Sequence, residues 1–359
     1  MCHEKYGDTV WCPLQKQTNQ RILPSLWRTS TLNITQEAIP EGMEAALTPE
    51  DPLIGAYRIH CQAYKRGYSV REIIAEMLGK GNGATKGKGG SMHYYKKSTN
   101  FYGGNGIVGA QIPVGTGLAF ALKYKNKSNV ASIMFGDGAA NQGQLYEAAN
   151  MAKLWNLPAL FICENNKYGM GTSVARSSMN TEFYKRGDVI PGIKFEGNNV
   201  FEIREAFKWA KEYAINNGPL FIEINCYRYH GHSMSDPGIS YRKREEVQDY
   251  RQTKDPILIL QNLAVKHELA TLEELEVVIG WHRLLKTMRL KRSRTPSRRP
   301  KPTPKSIFQS WPATSTLTTT NVLQNLVRFY QRKTLWGVDH SSGLEILIVW
   351  WHILKTIIL

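Results

Sequence analysis

Asp137, flanked by Gly136 and Gly138, and the pair Asn165-Asn166 are separated by 26 residues between Gly138 and Asn165. Together they offer the ligands of a metal-bound diphosphate. A hard cation such as Mg²⁺ or Ca²⁺ takes oxygen ligands, and Mg²⁺ typically combines one or two protein oxygens with phosphate oxygens. Asp137 supplies a carboxylate at the surface edge of a strand, Asn166 an amide oxygen, and the turn that follows a backbone carbonyl. The glycines let backbone approach a ligand, and a helix N-terminus beyond them favours negative charge. Taken alone, Gly-Asp-Gly reads as a turn in which Asp137 caps a helix. The second half, at this spacing, makes it a ligand set.

The elements that must position these groups are legible around them. Val130 to Phe135 is an apolar, strand-like run that stops at glycine. Leu145, Ala148, Ala149 and Ala152 then recur at helical spacing. A second apolar run, Ala159 to Cys163, leads into Glu164-Asn165-Asn166. This strand–helix–strand unit carries polar groups at the carboxyl end of each strand, where open parallel sheets bind ligands. Upstream, Leu53-Ile54 precedes Tyr57-Arg58, and Ser69-Val70-Arg71-Glu72 is a capping box opening a helix over Val70 to Leu78. Gly79 to Gly90, with Lys80, Lys86 and Lys88, reads as a flexible basic loop that either faces a phosphate or is a solvated connector. Gly103 to Gly109 is glycine-dense, which suggests backbone lying against a ligand. Ile203, Phe207, Ala210 and Ala214 mark a helix that ends at Asn217-Gly218. The strand Leu220 to Ile224 then delivers Arg228, His230 and His232 to the same edge. The fold class these signals predict is α/β, a doubly wound, mostly parallel sheet.

These motifs, with Lys88-Gly89-Gly90-Ser91-Met92-His93, Tyr168-Gly169-Met170-Gly171-Thr172-Ser173 and Tyr229-His230-Gly231-His232-Ser233-Met234-Ser235-Asp236-Pro237-Gly238, resemble the alpha subunits of the pyruvate dehydrogenase component within the thiamine diphosphate-dependent 2-oxo acid dehydrogenase family. The resemblance runs from about Leu32 to Glu276. It implies that Tyr57, Arg58, Gly106, Val108, Asp137, Gly138, Ala139, Asn166, Tyr168, Arg228 and His232 contact thiamine diphosphate, with Asp137, Asn166 and Tyr168 on Mg²⁺. Val108 would wedge between the two cofactor rings, and His232 would serve catalysis as a hydrogen-bond donor beside the diphosphate. Ser233 and Ser240 match inhibitory phosphorylation positions; a third such position is Asn180 here. The implied activity is oxidative decarboxylation of pyruvate with acetyl transfer to a lipoyl group. The implied partners are a beta subunit in an α₂β₂ heterotetramer, a lipoyl-bearing acetyltransferase core, and a regulatory kinase and phosphatase. The implied location is the mitochondrial matrix. Since that family draws its activating glutamate from the beta subunit, no residue here is assigned as the primary proton-transfer acid.

Charge divides the chain at the same places. Of the formal +16, residues 32–276 carry +2, residues 277–359 carry +12 and residues 1–31 carry +2. Three segments follow: an unmatched 1–31, a cofactor-binding domain over 32–276, and a basic tail over 277–359. Arg283 to Lys305 holds ten basic residues, four prolines and no acid, a composition that predicts disorder. It contains no aromatic residue to stack on bases, so no nucleic-acid partner is expected. The apolar end, Leu344 to Leu359, is 16 residues and falls short of a membrane span. Five widely spaced cysteines, Cys2, Cys12, Cys61, Cys163 and Cys226, read as free thiols. No transit peptide is recognisable in Met1 to Gln20.

Three positions depart from the family pattern: Thr31 stands where the family has a histidine, Pro40 where it has a helix, and the basic tail replaces an acidic helical C-terminus. Two alternatives stay open, a sister subunit acting on branched-chain 2-oxo acids or acetoin, and a non-catalytic product with altered termini.

Overall fold

The computed structural model describes residues 36–186, 189–233, 236 and 238–275. The expectations for Thr31, for the basic tail and its apolar end, and for Cys2 and Cys12 concern positions outside the described residues.

The chain alternates strand and helix. In order run α1 (Ala38–Glu44), β1 (Leu53–Ala56), α2 (His60–Lys65), α3 (Val70–Met77), β2 (Phe101–Asn105), α4 (Gln111–Tyr124), β3 (Ala131–Gly136), α5 (Gly143–Leu154) and β4 (Ala159–Asn165). A short antiparallel hairpin, β5 (Tyr168–Gly169) and β6 (Thr172–Ser173), precedes α6 (Val174–Ser177). Then come β7 (Gly192–Glu196), α7 (Val200–Asn217), β8 (Leu220–Asn225), α8 (Arg244–Thr253) and α9 (Pro256–Lys266).

Six strands form one parallel sheet in the order β2-β1-β3-β4-β8-β7. The strand order turns around at β1, with β2 on one side and β3 on the other. Such a switch point opens a crevice at the carboxyl ends of the two strands. β3, β4 and β8 are buried over nearly their whole length, as strands covered on both faces must be. One core lies under α1, α2, α3 and α7, built on Met43, Ile73, Ile203 and Phe207. A second lies under α4 and α5, built on Ile112, Leu122, Leu145 and Ala148. Helices on both faces make this the doubly wound sheet that the sequence predicted.

Local signals are realised closely. Ser69 and Glu72 form the full capping box at α3. Gly218 closes α7 with φ of 88°, the left-handed conformation that glycine adopts without strain. Pro40 is the third residue of α1, inside the first turn, where its missing N–H costs the helix no bond. Cys163 and Cys226 are buried free thiols, and Cys61 is half-buried.

Two glycine-rich segments pack against their own chain. The Gly79–Gly90 segment is ordered around a carboxylate: buried Glu76 accepts from the backbone N–H groups of Thr85, Gly87 and Gly89 at 2.7, 2.8 and 2.5 Å. Its lysines, Lys80, Lys86 and Lys88, point to solvent. The glycine density at Gly103-Gly104 serves internal packing. A Cβ at Gly103 would sit 1.9 Å from the Tyr94 carbonyl oxygen, and one at Gly104 would sit 2.2 Å from that of Met92. Backbone presses on backbone there. Among the described residues no helix is long and apolar enough to cross a membrane.

Candidate active site

The carboxyl ends of β1, β3, β4 and β8 converge, and each contributes polar groups. β3 ends at Gly136, so Asp137 leaves the sheet at its central edge, and β4 runs beside it with Gly136 opposite Glu164. The chain turns sharply after Asn165. The Asn165 carboxamide accepts from Lys167 N–H at 3.2 Å and donates to Glu223 Oε1 at 2.7 Å. Lys167 takes φ of 72°, which reverses the chain and brings Gly169 against Gly138. A Cβ built on Gly169 would lie 3.9 Å from Asp137 Oδ2. Both halves of the motif are therefore one structure.

Asp137 is not a surface-edge carboxylate, as its sequence position suggested; it is only 3% exposed. Strand end and hairpin enclose it together. Burial raises its pKa, opposed by its own backbone N–H, the Arg228 guanidinium, the Asn166 N–H and the Arg58 guanidinium. Asn166 is also buried, and its amide oxygen Oδ1 has no hydrogen-bond partner. An orphaned buried oxygen costs about 1–3 kcal/mol, which a ligand can recover. A desolvated carboxylate beside an orphaned amide oxygen is the donor set of a hard cation. Among the described residues no cluster of three or more His, Cys, Asp or Glu could hold a metal ion. A site of one carboxylate, one amide and one carbonyl needs no such cluster.

Cationic groups line the same edge. Arg228, 2% exposed, donates through Nη2 to the carbonyls of Tyr168, at 3.4 Å, and Met170. Its Nε and Nη1 have no partner. Arg58, 8% exposed, donates through Nη2 to the His232 carbonyl at 3.4 Å. Tyr57 meets the His232 ring edge-on at 5.4 Å between centroids. Burial lowers the His232 pKa to about 4, with Arg58 and Arg228 pushing the same way and Asp236 opposing. His232 is thus a neutral imidazole at neutral pH, able to donate one hydrogen bond without adding charge. These groups form an anion-seeking wall next to a cation-seeking pair, which is what a metal diphosphate requires.

The remaining predicted positions fall in the same region. Ala139 is buried at the start of a 3₁₀ turn that opens with Gly138. Gly106 is half-buried beside the His93 ring, and Val108 is 43% exposed in the loop after β2. That exposure excludes a core-packing role for Val108. Its carbonyl accepts from Gln144 of α5 at 3.4 Å, tying the loop to the Asp137 side of the crevice. Ser233 is half-buried next to His232, and Ser240 is exposed. Asn180, at the third phosphorylation position, accepts through its carbonyl from Arg186 Nε at 3.0 Å.

Sequence reasoning missed four residues. Asp236 accepts from His232 N–H at 2.6 Å, Gly238 N–H at 2.8 Å and the Tyr241 hydroxyl at 2.7 Å. Arg242, 7% exposed, donates to the carbonyls of Gly238, Arg228, Tyr229 and His230. Its guanidinium is spent inside the loop and is not free to meet charge near Ser240. The Asp236-Pro237-Gly238 turn carried a faint signal; Arg242, inside Arg-Lys-Arg, carried none. Glu246 accepts from Tyr168 and Tyr227, and Glu164 sits buried at the end of β4. Burial raises the Glu164 pKa to about 7, against the pull of Arg58.

Residues 24–282 match the family model described as the dehydrogenase E1 component, and the chain belongs to that family. It is 56% identical over 244 residues to the pyruvate dehydrogenase E1 component subunit alpha, mitochondrial, of Sminthopsis macroura, covering 68% of this chain and 67% of that protein. It is 56% identical over 244 residues to the somatic form of that subunit from Homo sapiens, covering 68% and 62%. Against subunit alpha-1 of Arabidopsis thaliana the identity is 53% over 241 residues, covering 67% and 62%. The chain thus spans between 62% and 67% of the length of these relatives.

Proposed function

We propose that this chain is the alpha subunit of a pyruvate dehydrogenase, and that residues 32–276 form its cofactor-binding domain. The observation that carries the reading is the buried pair Asp137 and Asn166, one desolvated and the other with an orphaned Oδ1, beside two unpartnered donors of Arg228. Asp137, Asn166 and the Tyr168 carbonyl would hold Mg²⁺. Tyr57, Arg58, Arg228 and His232 would face the diphosphate, and Gly138 and Ala139 would offer backbone to it. Gly106 and Val108 would meet the organic rings, with exposed Val108 free to take a ligand on its surface. Bound thiamine diphosphate supplies the electron sink for decarboxylating a 2-oxo acid.

The chain's own residues bind, orient and exclude water. Arg58 and Arg228 provide charge, and neutral His232 provides a directed N–H to the same anion without adding charge. Burial of Asp137 and Arg228 makes each contact stronger than it would be in water. The preference for pyruvate over branched-chain 2-oxo acids or acetoin rests on 53–56% identity to relatives named for pyruvate. By the same relation we assign a beta subunit as partner in an α₂β₂ assembly, a lipoyl-bearing acetyltransferase as acceptor, control by a kinase and phosphatase at Ser233 and Ser240, and a mitochondrial location.

Calorimetric titration with thiamine diphosphate and Mg²⁺ tests the site. Asp137→Ala is expected to abolish Mg²⁺-dependent binding while the circular dichroism spectrum is retained. Unchanged affinity in the variant contradicts the assignment.

A further inference from the structure

Helix α8 follows the loop that carries Ser233 and Ser240, and it buries none of its residues. Its contacts are made by half-buried and exposed side chains. In its first turn, Glu246 receives two phenol groups. The Tyr168 hydroxyl donates to its two carboxylate oxygens at 3.1 and 3.2 Å, and the Tyr227 hydroxyl donates to Oε1 at 2.8 Å. Tyr227 also stacks on Tyr250 of the same helix at 4.7 Å. The two phenols belong to the hairpin after Asn166 and to the residue before Arg228. One exposed carboxylate thus links a surface helix to the hairpin after Asn166 and to the residue before Arg228.

The hairpin end of this clamp sits where geometry matters. Tyr168 has its hydroxyl on Glu246, its ring 5.6 Å from Tyr241, and its carbonyl accepting from Arg228 Nη2 at 3.4 Å. Both ends of Tyr168 are thus held, the ring by Glu246 and the carbonyl by Arg228. Lys167 before it is in a left-handed conformation, and Met170 after it has φ of 59°. Non-glycine residues hold such angles only where the surroundings impose them.

We propose that Glu246 is a positioning residue for the cation: through the Tyr168 hydroxyl it sets the direction of the Tyr168 carbonyl and so makes the site selective for Mg²⁺. The inference rests on the metal reading of Asp137, Asn166 and Tyr168. Mg²⁺ demands near-octahedral geometry at short distances, while Ca²⁺ tolerates longer and irregular coordination. Loosening one carbonyl penalises Mg²⁺ more. Partners one step behind a metal ligand typically change affinity about 10- to 100-fold. Acting through a backbone carbonyl, Glu246 belongs at the lower end, about tenfold.

The test uses the full chain coexpressed with a beta subunit. Thiamine diphosphate binding is followed by calorimetry across Mg²⁺ and, separately, Ca²⁺ concentrations, with melting temperature measured without metal. Tyr168→Phe, which keeps the carbonyl and removes the hydroxyl, is expected to weaken the Mg²⁺ requirement about tenfold and the Ca²⁺ requirement less than about twofold. Glu246→Ala should match it, and Glu246→Gln, which keeps an acceptor oxygen, should restore most of the Mg²⁺ affinity. Equal losses for both cations, or no loss in Tyr168→Phe, overturn the proposal. Asp137→Ala in the same series separates the two claims. If it also leaves Mg²⁺ dependence intact, the metal reading itself fails. If it abolishes binding while Tyr168→Phe does not change it, only the role of Glu246 fails.

Discussion

Glu164 shows how burial writes a pH dependence into this edge. Its carboxyl is held near pKa 7, against an ordinary value of 4.5, because burial outweighs the pull of Arg58. The folded state therefore binds more protons than the unfolded chain between pH 4.5 and 7, and stability from this group falls as pH rises through that window. His232 and His60 act in the opposite sense. Both lie near pKa 4, so the unfolded chain binds more protons between about 4 and 6.5, and stability rises with pH there. Removing the Glu164 charge should separate these contributions. Glu164→Gln is expected to gain stability over the parent on going from pH 5 to pH 8, by up to the order of 3 kcal/mol. Urea denaturation at both pH values measures it. A variant equally displaced at the two values would show that Glu164 does not titrate in the folded protein.

The loop from Arg228 to Arg242 is built as a small unit, with Asp236 gathering N–H groups at its centre and Arg242 gathering carbonyls from beneath. Ser233 follows His232, whose N–H is one of those gathered. A phosphate there adds about −1.5 to −2 charges. It would compete with Asp236 for the same donors and repel the bound diphosphate. Ser240 is exposed and near Lys243 and Arg244, which are also exposed and can neutralise added charge. The Ser233 phosphate is therefore expected to inhibit more strongly than the Ser240 phosphate, by at least about tenfold in kcat/KM, in an assembled enzyme singly phosphorylated at each position. Full activity with phosphate on Ser233 would show that this loop does not gate the site. The elements around the loop were legible from sequence because periodicity and caps are local signals: α3, α5, α7 and the runs that became β3, β4 and β8 all fell where predicted. The loop's internal order was not legible. It depends on where an arginine in a basic run points and on which N–H groups reach Asp236, and both are tertiary facts.

For the molecule as a whole, the sequence pattern specified the doubly wound sheet, and the strand order places the crevice at the β1 switch point. The Asp137 and Asn165-Asn166 signature was legible because its chemistry needs residue types at fixed strand ends. Its burial was not, since enclosure comes from the hairpin folding back from Lys167 onto Gly138. The glycines at 103 and 104 mark close approach, and only the structure shows what approaches.

The central claim is that this edge binds magnesium thiamine diphosphate and, with a second subunit, decarboxylates pyruvate. The direct measurement is carbon dioxide release from pyruvate by the chain coexpressed with a pyruvate dehydrogenase beta subunit, with thiamine diphosphate and Mg²⁺ supplied. A branched-chain 2-oxo acid serves as the competing substrate and Asp137→Ala as the control. The expected result is turnover that prefers pyruvate, requires Mg²⁺ and vanishes in Asp137→Ala. An assembled complex that releases no carbon dioxide from pyruvate, or does so undiminished in Asp137→Ala, contradicts the account.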